Sequence, residues 1–524
     1  MIFKKHITIF ASLLMLVYYI VVSWLIHRTG YEHSEALFMA EKIKLLFEAP
    51  NNTLLTLGTT FPTVTFLSSI AFSPFGYPYA PVLASTTFTT LLFYFLLDDF
   101  SQSALPKKVF LPMLCLLFAF HPGLIFAAVS GRGVGAIIFF FYLLFRSLFR
   151  YYRTQTTFYL SMASIYLTCL IFCDHNFIWL LLAFFPFIVL VSIDGLKIKR
   201  DGPPIIQYFE AVNITSQRRK LANRTLAIYV IVFLLPIGTL FLFRTLNFYH
   251  AGDAAYYLNS QYANWHVTGN ISIGELLTSN ALLNVSEQSQ LIFQVYILLL
   301  TPLLILVFVL FKGTMYELFT LLAPFILLTI LLLDNQYYLT VEFYLIFLIL
   351  ALIGLCFYAG KKYKSKILWP VIMAVALLNI FTGILYFNRT SDPEESLFFN
   401  TFKKMKKWNP ERNTNEDYRL ADFISNIAND QNKILMDDAA AYKVIAHLRS
   451  LRGIILPIND NFLTVVENPK LEAKYICVVK SNNKLRNFTV LNEYNLNLMK
   501  KRLNVKPVLM FETETWAVYK LVIL

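Results

Sequence analysis

Charge is what this 524-residue sequence has least of. Asp, Glu, Lys and Arg make up only 15% of it, whereas a soluble chain of this size carries about 25%. That shortfall excludes a purely soluble protein. Cysteine is also scarce: the five residues at 115, 169, 173, 356 and 477 show no CxxC spacing and mostly fall inside apolar runs. A disulfide framework and a zinc site are therefore not expected. The chain has no GxGxxG, no Walker sequence, no heptads, no Pro-rich linker and no internal repeat, so no phosphate-cradling nucleotide loop of those kinds is expected. What remains is apolar, with 57% hydrophobic residues, 49 Phe and 30 Tyr. Many of these aromatics stand near the ends of apolar runs, as interfacial belts require.

The low charge is not spread evenly. From Ile7 to about Tyr386, long apolar runs alternate with short polar connections, whereas Asn388 to Leu524 has ordinary soluble composition. A helix crossing the ~30 Å hydrocarbon layer needs about 20 apolar residues. Candidate spans lie near 7–26, 79–97, 109–129, 134–149, 157–173, 177–193, 225–244, 289–311, 316–333, 340–359 and 367–387, with 62–72 too short to cross. The expectation is a polytopic α-helical membrane protein of about eleven crossings. Residues 1–388 form the membrane domain and 389–524 a C-terminal extracytoplasmic α/β domain. The N-terminal run ends in Trp24-Leu25-Ile26-His27-Arg28 without a small-residue cleavage site, so it reads as an uncleaved anchor.

The formal net charge of +13 need not mean nucleic acid binding, because Lys and Arg collect in cytoplasmic loops. With the N-terminus cytoplasmic, basic residues favour the inside connections about fourfold. That orientation puts the first loop, residues 27–62, and the C-terminal domain on one extracytoplasmic side. The tail reads as strands at Lys433–Asp438, Gly453–Ile458 and Lys474–Val479, helices at Ala439–Leu448 and Val490–Arg502, and a closing hairpin of Pro507–Phe511 with Trp516–Val522. This alternation favours a small α/β domain. Phe402–Lys407 reads as a solvated basic linker.

Candidate chemistry concentrates in the first outside loop. His27, Arg28, Glu32, His33, Glu35, Glu41 and Lys42 gather at the mouth of the bundle. From Ser34 to Phe47 the apolar spacing is helical, which predicts an amphipathic helix lying along the membrane surface. Ser34 is placed to cap that helix, with Glu35 in its first turn. Elsewhere Arg132 stands alone in Ser130-Gly131-Arg132-Gly133, either a lipid-headgroup anchor or a clamp. Asp174 and His175 share a very short turn, and Glu342 lies just inside a late span, where an acid is a functional candidate unless it snorkels to the surface. Asp253, His250 and His266 lie among Tyr249, Tyr256, Tyr257, Tyr262 and Trp265, a composition that suits sugar stacking or an interfacial helix equally. Asp437-Asp438 at a strand-to-helix junction reads as helix capping rather than a metal pair.

Several short segments carry a family resemblance. They are Ser34-Glu35-Ala36-Leu37-Phe38-Met39-Ala40-Glu41, Phe61-Pro62, Ser73-Pro74-Phe75-Gly76-Tyr77, His121-Pro122, Tyr337-Tyr338 before a helix running to Gly354, and the tail segment Ile434 to Tyr442. In this layout the chain resembles the GT-C superfamily of membrane glycosyltransferases that use polyprenyl-phosphate sugars, with Ser34 where the family has Asp. The resemblance implies an inverting transfer of a sugar from a polyprenyl-phosphate carrier to an extracytoplasmic envelope glycan, lipid or protein. Its catalytic carboxylate would be Glu35 or Glu32, and its phosphate- or substrate-binding residues Arg28, Lys42, Arg132, His33, Asp174, His175 and Glu342. No cofactor and no metal ligand are implied. The alternative is a non-catalytic scaffold or carrier-binding subunit. A transporter is disfavoured by the lack of repeated halves and by few intramembrane charges.

Overall fold

The computed structural model describes residues 2–49, 60–102, 107–194, 206, 209, 212–263, 287–311, 314–333, 340–357, 368–390, 392–404, 415–469, 472–503 and 505–523. The polytopic helical body with a C-terminal α/β domain expected from the sequence is the architecture observed. Among the described residues, six helices are long and apolar enough to cross a membrane, and a seventh span forms if Phe110–Phe120 and Pro122–Val129, bent by 65° at their junction, are taken together. Shorter apolar helices occupy Thr157–Ile171, Met315–Leu331 and Val341–Phe357. The short segment at 62–72 is a helix of eight residues, Thr63–Ile70, too short to cross by itself. Tyr337 and Tyr338 lie outside the described residues.

The helices that position the site are α1 (Ile2–Arg28), α2 (Ser34–Glu48), α3 (Val134–Thr154), α4 (Val341–Phe357), α5 (Leu368–Arg389) and α6 (Pro393–Lys404). Every residue of α4 is buried, as an all-round apolar sequence requires, so α4 is enclosed by the rest of the molecule. Two groups of buried charge flank α3. At its C-terminal end Arg146 and Arg150 donate to Asp99 Oδ1 at 2.8 and 2.9 Å; at its N-terminal end is the loop that carries Arg132. About 24 Å of helical rise separates Val134 from Arg150, most of the apolar layer's thickness.

The C-terminal part forms one five-stranded sheet of order β2-β1-β3-β5-β4, with β1 Ile434–Leu435, β2 Ile454–Ile455, β3 Tyr475–Val479, β4 Val505–Glu512 and β5 Trp516–Ile523. β1 pairs parallel with β2 and β3, and β5 pairs antiparallel with β3 and β4. Side chains alternate across β3: Tyr475, Cys477 and Val479 enter one apolar cluster, Ile476 and Val478 the other. Both faces are thus covered. Helix α7 (Asp438–His447) follows β1 and packs on the first face. The expected strands, helices and closing hairpin of the tail are present. Phe402 to Lys404 belong to α6, whose Phe398 and Phe399 enter the bundle core; residues 405–407 lie outside the described residues.

The surface placement expected for α2 is not observed. Its residues Ala36 to Leu45 are all buried. Leu37, Phe38, Met39, Ala40 and Leu45 join the core of the α/β domain, and Ile43 packs with Phe66 and Ala80. The polar residues that would have faced water are taken up by α7 and the segment after it. Lys42 Nζ lies 2.9 Å from Asp438 Oδ2 and 3.3 Å from Glu41 Oε2. Lys44 donates to the Leu448 carbonyl, and Glu48 accepts from the Leu451 N–H at 2.8 Å. An amphipathic pattern cannot tell a helix covered by a protein domain from one covered by water.

Candidate active site

The site is assembled where the N-terminus of α2 meets the loop before α3. The loop closes this tightly because of its glycines. Gly131 has φ +75°, and a Cβ there would come within 2.8 Å of the Ala36 Cβ; a Cβ on Gly133 would meet Thr65 at 2.7 Å. Only glycine accepts both the left-handed backbone and the close approach. Ser85 Oγ donates to the Arg132 carbonyl at 3.1 Å, and the Arg132 N–H donates to Ser130 Oγ at 3.2 Å. The guanidinium is thereby aimed into the cluster.

Four carboxylates surround it. Arg132 Nε lies 2.7 Å from Glu342 Oε1 and 3.4 Å from Glu35 Oε2, and Nη1 lies 3.7 Å from Asp392 Oδ2 and 3.9 Å from Glu395 Oε1. Glu395 is fully buried and ties three helices together: it accepts from the Val341 N–H at the start of α4 at 2.9 Å, from Tyr386 on α5 at 2.8 Å, and from Thr390 at 2.7 Å. Asp392 caps α6, with Oδ1 accepting from the N–H groups of Glu394 and Glu395 at 2.8 and 3.2 Å.

One cation thus faces four acids, of which Glu342, Asp392 and Glu395 are buried and Glu35 is partly buried. Burial pushes Glu35 up to about 7; Arg132 opposes the shift, and Glu342, Asp174 and Glu394 add to it. Burial likewise raises Glu395, reinforced by Asp392 and Glu342 and opposed by Arg132. A carboxyl that titrates near neutrality beside a fixed cation is suited to accept a proton from a hydroxyl.

Of the residues singled out by sequence, Glu35, Arg132 and Glu342 meet here. Asp174 is an electrostatic neighbour of both Glu35 and Arg132, while its Oδ1 accepts from the Asn176 N–H at 2.9 Å, so it also caps its own turn. His175 lies 3.9 Å from Asp174 and packs against Phe61. Glu32 is engaged elsewhere, 2.8 Å from His447 Nε2 on α7. Arg28 stacks on Trp24, 3.7 Å from the ring centroid, and Lys42 is held by Asp438 and Glu41. The cap of α2 is His33 rather than Ser34: His33 Nδ1 accepts from the Glu35 N–H at 3.2 Å. Ser34, one residue too late to cap, donates to Glu394.

No family model matches the sequence, and no curated protein matches it. Among solved structures it is similar to the crystal structure of ArnT from Cupriavidus metallidurans bound to undecaprenyl phosphate. The two are 10% identical, the match covers 97% of each chain, and the TM-score is 0.48. That likeness is one of chain path, and the roles of residues in this chain rest on its own geometry.

Asp392, Glu394 and Glu395 are the residues that sequence reasoning missed. A signal was present, since Asp392-Pro393-Glu394-Glu395 has the cap, the N1 proline and the first-turn acids of a helix start. Nothing in those four residues points to Arg132, more than 250 positions away. Asp437 does cap its helix, as expected, with Oδ1 accepting from the Ala439 N–H at 3.1 Å and Oδ2 accepting from Thr489 at 2.7 Å. Of the aromatic loop, Asp253 accepts from the Ala255 N–H at 2.8 Å, and Tyr257 packs on Phe61 and Phe243. Trp265 and His266 lie outside the described residues.

Proposed function

We propose that this chain is a membrane glycosyltransferase that moves a sugar from a polyprenyl-phosphate carrier to a cell-envelope acceptor, with the Arg132 site on the extracytoplasmic side. One observation carries the reading: Glu35, raised toward neutrality by burial, stands 3.4 Å from Arg132 at the first turn of α2. In the reaction, the acceptor oxygen attacks the anomeric carbon and its proton passes to the Glu35 carboxylate. The bond from that carbon to the phosphate oxygen breaks, and the carrier phosphate leaves with the electron pair. Arg132 stabilises the departing phosphate. A proton held by Glu395, whose carboxyl is raised by burial, lowers the pocket's negative charge while Glu35 acts as the base, so that an anion is admitted beside the guanidinium. The charge bias of the loops supports the orientation, and the GT-C resemblance supports a lipid-linked donor. Such a donor carries its activation across the membrane, where no nucleotide sugar is at hand.

The test is envelope glycan composition, measured by mass spectrometry in host cells carrying the wild type, a deletion or Glu35→Gln. Loss of one glycan modification in both the deletion and Glu35→Gln is the expected result. An unchanged glycan in the deletion would overturn the enzyme reading in favour of a scaffold. A glycan lost in the deletion but kept in Glu35→Gln would move the base to another carboxylate.

A further inference from the structure

Several buried polar atoms around Arg132 have no hydrogen-bond partner among the described residues, His33 Nε2 and Glu342 Oε2 among them. These two residues are 5% and 7% exposed, so bulk water does not serve them, and buried polar groups left unpaired are rare in folded proteins. The chemical character of each atom follows from its other contacts. His33 Nδ1 accepts a hydrogen bond from the Glu35 N–H and therefore carries no proton of its own. Burial, with Arg132 and Lys443 nearby, holds the ring neutral, down to about 3. The single ring proton is thus on Nε2, which is a donor. Phe126, packed edge-on at 5.9 Å, fixes the ring plane. Glu342 is the complement, because Oε1 is occupied by Arg132 at 2.7 Å and Oε2 is a free acceptor.

An unused donor on a ring that neighbours Arg132 and an unused acceptor on the carboxylate paired with it match a ligand group that both accepts and donates. A hydroxyl does this, whereas an ionised phosphate oxygen only accepts. We propose that His33 Nε2–H and Glu342 Oε2 form a recognition pair for a hydroxyl on the transferred sugar, the hydroxyl accepting from His33 and donating to Glu342. This rests on the glycosyltransferase reading and assigns the sugar end of the donor to this side of Arg132. His33 then has two separable duties: Nδ1 caps α2, and Nε2 reads the substrate.

Two substitutions separate them. In His33→Asn the amide oxygen replaces Nδ1 and keeps the cap, but nothing replaces Nε2. In His33→Gln the longer side chain carries an amide N–H toward the Nε2 position and the cap is lost. The full-length protein in lipid nanodiscs is titrated with undecaprenyl phosphate and with a panel of undecaprenyl-phosphate monosaccharides, and the melting temperature of each variant is recorded. The wild type is expected to bind at least one sugar-bearing lipid about ten-fold more tightly than the bare carrier phosphate. His33→Asn should abolish that preference with bare-carrier affinity and melting temperature unchanged, and His33→Gln should recover part of it while melting earlier. A preference retained in His33→Asn overturns the proposal, as does a wild type with no preference across the panel. Wild-type protein that binds neither class of lipid refutes the glycosyltransferase reading itself.

Discussion

Arg132 Nε stands 2.7 Å from Glu342 Oε1 while the same guanidinium lies within 4 Å of Glu35, Asp392 and Glu395. One side chain therefore joins α2, α4 and α6 at one end of the bundle. Removing a largely enclosed cation leaves its carboxylates, three of them buried, uncompensated, which costs about 3–5 kcal/mol. Arg132→Gln should lower the unfolding free energy in detergent by that amount and shift the midpoint down accordingly. Arg132→Lys should recover only part of it, because a point charge cannot serve several carboxylates as a planar fork does. Equal midpoints for Arg132→Gln and wild type would remove Arg132 from the framework of the site.

Transfer should depend on pH through Glu35. Its carboxylate is the form that accepts a proton, so activity should rise as pH passes upward through about 7 and level off above it. Below that value the slope should approach tenfold per pH unit. A flat profile between pH 5.5 and 8.5 would mean that Glu35 is not the base.

The contact between α2 and α7 should loosen as pH rises. Burial pushes Glu41 up to about 8, with Asp438 adding to the shift and Lys42 opposing it. An acid whose folded pKa is raised contributes its full stability below the unfolded value, near 4.5, and loses it as pH climbs to the folded one. Glu41→Gln, which mimics the protonated form, should stabilise the protein by about 2 kcal/mol at pH 8 and change little at pH 4.5. Thermal unfolding at the two pH values checks both the sign and the window.

Gly131 tests how the loop and α2 fit together. Gly131→Ala puts a Cβ against Ala36 on a left-handed backbone and should cost about 2 kcal/mol. Ala36→Gly in the same chain should return the steric share of that loss and leave the backbone share. No recovery in the double variant would mean that the close approach to Ala36 is not what requires glycine.

Tyr386 tests the support of the site. Tyr386→Phe removes the hydroxyl that donates to Glu395 at 2.8 Å and should cost about 1–3 kcal/mol, because a buried carboxylate loses a partner. Unfolding midpoints of the two proteins measure it.

Local rules made much of this molecule readable. Runs of about 20 apolar residues marked the membrane helices because each has to satisfy its own backbone in lipid. Alternating short strands and helices marked the α/β tail, and the Gly-Arg-Gly loop and the acid at the head of α4 stood out as unusual chemistry. Three features depended on contacts between distant segments. The amphipathic stripe of α2 was correctly helical, but its polar face meets Asp438 and Leu448, about 400 residues on, so burial replaced solvent. His33 took the cap expected of Ser34 because the helix begins at Ser34 itself, one residue earlier than a Ser34 cap requires, and Ser34 is drawn to Glu394. Glu395 reads as an ordinary first-turn acid, and only the packing of α4, α5 and α6 around it makes it a hub. Composition and periodicity decide which segments enter the membrane and which form strands. Which charges meet once those segments pack is decided by tertiary structure alone, since an ion pair between distant segments leaves no periodic trace in the chain.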